Sequence, residues 1–284
     1  MTGTLYLCAT PIGNLGDITL RVLETLKGAD LIAAEDTRSS MRLLNHFDIH
    51  TPLTSYHEFN KIEKGRELIS VLLSGKSVAL ITDAGTPGIS DPGEELVAMA
   101  YEAGIPVTSL PGASACVTAL TMSGMPTRRF AFEAFLPKDK KKRARVLEEM
   151  KSETRTIVLY ESPHHLKQTL TELSDALGAR RVALCRELTK IHEEVLQMTL
   201  PEAVEYYQTR TPRGEYVLVI AGRSFRQIEE DEQRSWEDLE IPAHVKLYEA
   251  QGLSRKEAMK QAAVDRGIPK REIYQALLEA EEET

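Results

Sequence analysis

The sequence predicts an α/β protein with a parallel-sheet domain, a second domain built on a mixed sheet, and a small helical domain at the carboxyl end. Short apolar runs alternate with helical patterns through about residue 120, which is typical of a parallel sheet wound with helices. From Phe130 the pattern changes, which favours a second sheet of more mixed direction. Three short helical patterns follow residue 241.

The first domain is predicted over residues 1–115. Its predicted strands are residues 4–9, 29–34, 54–58, 77–81 and 107–110. Apolar residues at helical spacing predict helices that begin near Asp17, Glu63 and Glu94, and the small residues 111–115 predict a further helix start.

The second domain is predicted over residues 116–222. Its predicted strands are residues 130–135, 156–160, 181–185, 193–199 and 215–221. Its predicted helices are residues 140–151, 166–178 and 201–207.

A polar, highly charged segment at 223–240 is predicted to be a linker to a helical domain at 241–284. The predicted helices of this domain are residues 242–251, 254–266 and 269–282. Ser254 followed by Glu257 is a capping box, which marks a helix start. The three helices resemble a helix-turn-helix unit, although the spacing alone slightly favours a small structural bundle.

The composition is that of a soluble globular protein, with 42% apolar and 27% charged residues. No apolar run approaches the roughly 20 residues that span a bilayer, and the first residues do not resemble a secretion signal, so we expect a cytoplasmic protein without a membrane anchor. Cys8, Cys116 and Cys185 are isolated among apolar residues, which predicts buried thiols and no zinc site.

Charge is unevenly distributed along the chain. The formal net charge of −8 argues against nucleic-acid binding through the overall field of the protein. Basic residues nevertheless cluster at 138–145 and again at 255–271. Such clusters are able to bind phosphates, although each one alone is more typical of a solvated helix face.

The loop at residues 83–93 is the most informative stretch for a binding site. An apolar run, 77–81, leads into a segment rich in Gly, Pro and Asp, and a helical pattern follows it. Gly allows close approach of the backbone to a ligand, and Pro fixes the chain direction. Ligands of α/β proteins commonly bind at such carboxyl ends of strands.

Four polar residues follow the predicted strand at 29–34: Glu35, Asp36, Thr37 and Arg38. They form either a helix cap or part of the wall of a ligand or substrate site. Elsewhere the chain lacks the glycine-rich signatures of dinucleotide and P-loop sites, a nucleophile elbow, and a His-Glu-x-x-His zinc motif. What remains is a set of polar strand ends that would converge on one cleft, at residues 9–14, 35–38, 83–91, 111–115, 160–164, 186–192 and 213–216.

Five motifs in this order resemble the small-subunit ribosomal RNA methyltransferases of the tetrapyrrole methylase superfamily. The motifs are ATPIGNLGDIT at 9–19, AEDTR at 34–38, DAGTPGISDPG at 83–93, YESPH at 160–164 and RELTK at 186–190. The resemblance extends over residues 4–280 and implies a two-domain methylase fold, a homodimer, and S-adenosylmethionine in the cleft between the domains. It also implies methylation of a cytidine 2′-hydroxyl in the decoding region of 16S rRNA, on the 30S subunit.

Cofactor-binding residues are carried over from the resemblance. They are Pro11, Asp83, Thr86, Pro87, Ile89, Ser114, Ala115, Leu159, Tyr160, Leu188 and Tyr216. The main chain around Thr86 and Ile89 is expected to matter most, and we expect Asp83 and Asp91 mainly to hold the turn in shape.

A ribose hydroxyl is a poor nucleophile, so we expect a base or a cation near it. The candidates combine a strand-end position with an ionisable group: Glu35, Asp36, Arg38, Glu161, Glu187 and Lys190.

Two other functions stay open at the level of the sequence. One is methylation of a small tetrapyrrole, against which the basic tail and the 35–38 cluster argue. The other is a nucleic-acid-binding module with a vestigial cleft, which would not bind S-adenosylmethionine.

Overall fold

The computed structural model describes residues 2–224, 226, 228, 236 and 238–282. The chain divides into two compact units, Met1–Gly222 and Arg223–Thr284. Much of the predicted linker at 223–240 lies outside the described residues. The division of the first unit at residue 115 stays a prediction.

The first sheet is entirely parallel, as the alternating pattern predicts. Its strands are β1 (Leu5–Cys8), β2 (Leu31–Ala34), β3 (Leu53–Ser55), β4 (Val78–Ile81) and β5 (Val107–Leu110). They are arranged in the order β3-β2-β4-β1-β5. Buried aliphatic side chains fill both faces of this sheet, since parallel strands are covered by helices on both sides. The polar residues that follow the strands therefore meet at one edge.

Apart from the last, the helices of this part connect consecutive parallel strands. They are α1 (Leu20–Gly28), α2 (Thr37–His46), α3 (Lys61–Leu73), α4 (Gly93–Glu102) and α5 (Ala115–Met122). Asp36 is the N-cap of α2, where its side chain accepts a hydrogen bond from the Arg38 amide at 2.8 Å. Of the two roles left open for the polar cluster at 35–38, Asp36 takes the capping role.

The second sheet is mixed. Its strands are β6 (Phe130–Ala134), β7 (Thr156–Glu161), β8 (Arg181–Arg186), β9 (Glu194–Thr199) and β10 (Tyr216–Ile220). Their order is β6-β7-β10-β8-β9, in which β6 pairs parallel with β7 and the other neighbours are antiparallel. The Glu161 end of β7 and the Tyr216 start of β10 lie opposite one another, so both are at the same edge.

The two faces of the second sheet pack against different helices. Helices α6 (Lys140–Lys151), α7 (Leu166–Leu177) and α8 (Leu200–Gln208) contribute to the core on one face. Cys116, Ala119 and Leu120 of α5 join the core on the other face. Helix α5 follows β5 of the first sheet and packs on the second, so it joins the two sheets.

The second unit contains helices α9 (Ile241–Ala250), α10 (Arg255–Arg266) and α11 (Lys270–Glu282). A small core that includes Val245, Ala262 and Ile273 holds them together. The predicted capping box of Ser254 and Glu257 is confirmed at the start of α10. In the part of the chain that the structure describes, no helix combines the length and the apolar character needed to cross a membrane.

Candidate functional site

A cleft of about 360 Å³, called the main cleft below, lies where the polar edges of the two sheets meet. Both sheets contribute strand ends and the loops beside them. Its lining residues are Ile12, Ala84, Gly85, Thr86, Ile89, Ser114, Ala115, Phe135, Tyr160, Glu161, Ser162, Pro163, Cys185, Leu188, Lys190, Glu215, Tyr216 and Val217. The predicted convergence of strand ends on one cleft thus has a counterpart in the fold.

Hydrogen bonds within the loop at 83–93 fix its shape. The Asp91 carboxylate accepts from the amides of Gly88 at 2.9 Å and Gly93 at 2.8 Å. Gly85 has a φ of +89°, which favours glycine, and its amide and carbonyl pair with those of Thr10 at 3.0 and 2.9 Å. Asp91 therefore holds the turn, as expected, and leaves the main chain of 84–86 facing the main cleft.

The start of α5 is tied to both neighbouring loops. The Thr86 hydroxyl donates to the Ala113 carbonyl at 3.0 Å. The Cys116 amide donates to the Tyr160 hydroxyl at 3.2 Å, which links the start of α5 to β7. Burial raises the pKa of Tyr160, so its phenol stays neutral and acts as a hydrogen-bonding group. Ser114 and Ala115 are thereby positioned against the main cleft.

Glu161 is a buried carboxylate, 7% exposed, at the end of β7. It accepts hydrogen bonds from the Thr169 hydroxyl and from the Ser162 amide, the latter at 2.7 Å. Arg143 in turn donates to Thr169 at 2.8 Å. The carboxylate is therefore held in one orientation by groups behind the wall of the main cleft.

Lys190 lies between two carboxylates on the opposite wall, at 2.9 Å from Glu187 and 2.8 Å from Glu215. Burial alone would lower the pKa of Lys190, but the hydrogen bonds to Glu215 and Glu187 outweigh it, and the pKa is raised. Burial alone would raise the pKa of Glu187, but its hydrogen bonds with Lys190 and the Glu215 amide lower it overall. Lys190 and Glu187 are thus a charged pair at neutral pH.

Close approach of two loops, one after β1 and one after β8, explains the glycine at position 13. A Cβ atom there would lie 2.4 Å from Cγ of Lys190. Any larger side chain would push apart the loop after β1 and the loop after β8, which face each other across the site.

The predicted cofactor residues fall into three groups. Seven of the eleven line the main cleft: Thr86, Ile89, Ser114, Ala115, Tyr160, Leu188 and Tyr216. Pro11 and Asp83 line a neighbouring depression, called the side concavity below, which is also formed by one face of α2. Pro87 lines neither. Leu159 is 1% exposed within the helix-covered core and does not line the main cleft.

The predicted catalytic residues are not all brought together. Glu161 and Lys190 line the main cleft, and Glu187 contacts Lys190. The other three, Glu35, Asp36 and Arg38, lie at the end of β2. There Glu35 accepts from the Thr82 hydroxyl at 2.9 Å, and Arg38 pairs with Asp36 at 3.1 Å.

Several lining residues were not among the sequence candidates. Ile12 lies within the motif at 9–19, where its apolar character gave no signal of contact with a ligand. Phe135 follows β6 and is 56% exposed, which only the structure reveals. Glu215 immediately precedes β10, and its link to Lys190 depends on pairing between strands distant in sequence.

Comparison with known proteins supports a family assignment. Residues 4–204 match the model of the family described as Tetrapyrrole (Corrin/Porphyrin) Methylases. The protein named ribosomal RNA small subunit methyltransferase I of Halalkalibacterium halodurans is 54% identical over 272 residues, which are 96% of this chain and 93% of that protein. Its namesake in Bacillus subtilis is 47% identical over 274 residues, 96% and 94% of the two chains.

Solved structures show the same fold at low sequence identity. A diphthine synthase superposes with a TM-score of 0.63 at 16% identity, covering 80% of this chain and 94% of that one. A uroporphyrin-III-C-methyltransferase from Thermus thermophilus gives 0.55 at 21% identity, covering 77% and 94%. The chain therefore belongs to the tetrapyrrole methylase family, among the proteins named ribosomal RNA small subunit methyltransferase I.

Proposed function

We propose that this protein transfers a methyl group from S-adenosylmethionine to the 2′-hydroxyl of a cytidine in the decoding region of 16S rRNA, on the 30S subunit. The observation that carries the proposal is the 54% identity, over 96% of the chain, to a protein named as a methyltransferase of small-subunit ribosomal RNA. The position of the methyl group and the identity of the nucleotide come from the resemblance of the motifs.

The donor groups of the main cleft fit this cofactor. S-adenosylmethionine has no phosphate, and the main cleft presents main-chain groups, aromatic rings and carboxylates. Its lysine, Lys190, is already neutralised by Glu187 and Glu215. Ser162 Oγ is buried and meets no hydrogen-bond partner among the described residues, which leaves it free for a polar ligand group.

The rings and carboxylates of the main cleft also suit the positive charge of the cofactor. Tyr160 and Phe135 present aromatic groups, which attract cations through their π faces. Glu161 adds a carboxylate held in place from behind. We assign cofactor binding to these residues together with Thr86, Ile89, Ser114, Ala115, Leu188 and Tyr216.

When bound, S-adenosylmethionine supplies an electrophilic methyl group on a sulfonium. The chain contributes chiefly proximity and orientation, because the rigid loop at 83–93 and the start of α5 fix one side of the main cleft. Lys190 keeps its proton, and the third N–H of its ammonium group, which Glu187 and Glu215 do not use, is available to donate to an acceptor oxygen. Glu187 keeps Lys190 charged and in place.

Glu35 is our candidate for the group that accepts the proton of the ribose hydroxyl. It contacts the Thr82 hydroxyl, and no cation among the described residues forms an ion pair with it. Asp36, by contrast, caps α2 and pairs with Arg38, so we assign these two residues to shaping the rim.

Two substitutions test the assignment. Tritiated methyl transfer to purified 30S subunits should fall strongly in Lys190→Ala and Glu35→Ala proteins, while calorimetry shows whether each still binds S-adenosylmethionine. Wild-type rates in both variants would refute the catalytic roles. A porphyrinoid offered in parallel tests the small-molecule alternative, and transfer to it would favour that function.

We also propose that the protein binds RNA through its basic surfaces and acts as a homodimer in the cytoplasm. The exposed lysines of α6 and the basic residues of α10 and α11 are suited to bind phosphates. Deleting residues 241–284 should weaken RNA binding and preserve cofactor binding. Unchanged RNA affinity would refute this role, and sedimentation of the wild-type protein as a monomer would refute the dimer.

A further inference from the structure

The side concavity, about 350 Å³ in volume, lies directly beside the main cleft. The chain segment after β1 forms the wall between them. Thr10, Pro11 and Gly13 face the side concavity, whereas Ile12 faces the main cleft. The Thr10 main chain is hydrogen-bonded in both directions to Gly85, which lines the main cleft, so at this point two paired segments of chain separate the two depressions. A molecule in the side concavity would therefore be a close neighbour of one in the main cleft.

An arginine without an ionic partner among the described residues lies at the rim of the side concavity. Arg42 lines it from α2 and is exposed, and it forms no ion pair or side-chain hydrogen bond with any residue that the structure describes. The other arginine in this part of α2, Arg38, is already paired with Asp36. His46 lies one turn further along the same face. Asp83 is the carboxylate that lines the same depression.

A buried hydroxyl in the side concavity also lacks a partner. Ser40 is 4% exposed, and its Oγ makes no hydrogen bond within the described part of the chain. Buried polar atoms normally have partners, so an unpaired one that lines a cavity is suited to meet a polar group of a ligand. The hydroxyl and Arg42 lie on the same helix and line the same depression.

We propose that the side concavity binds a ribose phosphate unit of the acceptor RNA strand, with the phosphate against Arg42 and the ribose hydroxyls against Ser40 and Asp83. The assignment deepens the proposed function and rests on it for the identity of the strand. Arginine donors match phosphate oxygens, whereas a hydroxyl and a carboxylate match ribose hydroxyls. Because the side concavity lies beside the main cleft, the neighbouring nucleotide of the same strand would lie near the methyl donor.

Binding of a fluorescein-labelled single-stranded RNA with the 16S decoding-region sequence, and of DNA of the same sequence, tests this proposal by anisotropy at several salt concentrations. We compare the full-length wild type with Arg42→Ala, Ser40→Ala and a control, Arg66→Ala. Arg66 is an exposed arginine of α3 that lines neither the main cleft nor the side concavity.

Loss of the Arg42 contact should weaken RNA binding about tenfold and reduce the slope of log affinity against log salt by about 0.7, the single-strand value for one phosphate. Ser40→Ala should weaken RNA binding more than DNA binding, by roughly twofold or more, because it removes a hydrogen bond to a ribose hydroxyl. It should not lower the melting temperature, since its hydroxyl has no partner in the described protein. Affinity for S-adenosylmethionine should be unchanged in both variants.

Equal RNA affinity and salt slope in the Arg42→Ala and Arg66→Ala proteins would overturn the proposal, as would failure of the wild type to bind the RNA. Methyl transfer to 30S subunits is measured on the same wild-type preparation. If transfer is absent while the Arg42 and Ser40 effects are present, the proposed function fails and the RNA-binding subsite stands.

Discussion

Replacing Tyr160 by phenylalanine removes one oxygen atom from the wall of the main cleft and should weaken cofactor binding. The hydroxyl accepts a hydrogen bond from the Cys116 amide at 3.2 Å, in the first turn of α5. The ring itself would stay in place, because it packs edge-on against Phe132 and Phe135, with centroid distances of 4.9 and 5.6 Å. The substitution therefore releases the start of α5 and leaves the ring packing of the main cleft unchanged.

The magnitude follows from the loss of one neutral hydrogen bond, which contributes about 0.5–1.5 kcal/mol. If the whole loss appears in binding, the Kd for S-adenosylmethionine rises roughly 2- to 12-fold. If it appears in folding, the melting temperature falls by about 2–4 °C for each kcal/mol in a domain of this size. Ser114 and Ala115 lie at this turn and line the main cleft, so a loosened turn affects both the folding stability and the binding of the cofactor.

Titration calorimetry and differential scanning calorimetry together measure both effects. Tyr101→Phe is the matched control, because Tyr101 is 67% exposed on α4 and lies away from the main cleft. The control should bind S-adenosylmethionine like the wild type. A folded Tyr160→Phe protein whose Kd equals that of the control would refute the role of this hydrogen bond.

Three further substitutions have expected outcomes. Thr169→Val removes a donor to the buried Glu161 carboxylate and should destabilise the protein by about 1.5–3 kcal/mol, measured by urea unfolding; a loss below about 0.5 kcal/mol would contradict this. Burial raises the pKa of Asp83 and the charge of Asp36 raises it further, so the charged form of Asp83 is disfavoured in the folded state. Asp83→Asn should therefore stabilise the protein at pH 7. The gain should be below about 1 kcal/mol, because Asp83 is only partly buried and solvent screens its charge. It should vanish near about pH 3, where the carboxyl is protonated in both states, so an equal gain at the two pH values would refute the explanation. Asp91→Ala removes the acceptor of two loop amides and should weaken S-adenosylmethionine binding about tenfold by calorimetry, whereas wild-type affinity would show that the loop keeps its shape without it.

Local signals in the sequence were sufficient for the fold class and for most elements. Strands that alternate with helices before residue 120 predicted a parallel sheet, because consecutive parallel strands need a crossover connection between them, which is usually a helix. The capping box at Ser254 and Glu257 predicted the start of α10, because both partners lie within one turn.

Side-chain direction in the second sheet could not be derived in the same way. Leu159 and Tyr160 are neighbours on one strand, so they must face opposite sides of the sheet. The sequence shows both as part of an apolar run, and only the packing of helices on the two faces of the sheet, with α7 on one face and α5 on the other, decides that Tyr160 faces the main cleft.

Contacts between distant segments were also beyond the sequence. The ion pair of Lys190 with Glu215, 25 residues apart in sequence, depends on β8 and β10 lying side by side. The cluster at 35–38 was ambiguous for a related reason, since a cap and a ligand wall require the same polar residue types. Hydrogen bonding assigned Asp36 to the cap of α2.

The most direct test of the proposed function is to locate the methyl group transferred from tritiated S-adenosylmethionine to 30S subunits by the wild-type protein. A 2′-O-methyl group blocks alkaline cleavage of the adjoining phosphodiester, so the label should appear in 16S rRNA as an alkali-resistant dinucleotide that begins with cytidine. Label that is released in ordinary mononucleotides would contradict 2′-O-methylation. Absence of label from the RNA, with transfer to a porphyrinoid instead, would contradict an RNA substrate altogether.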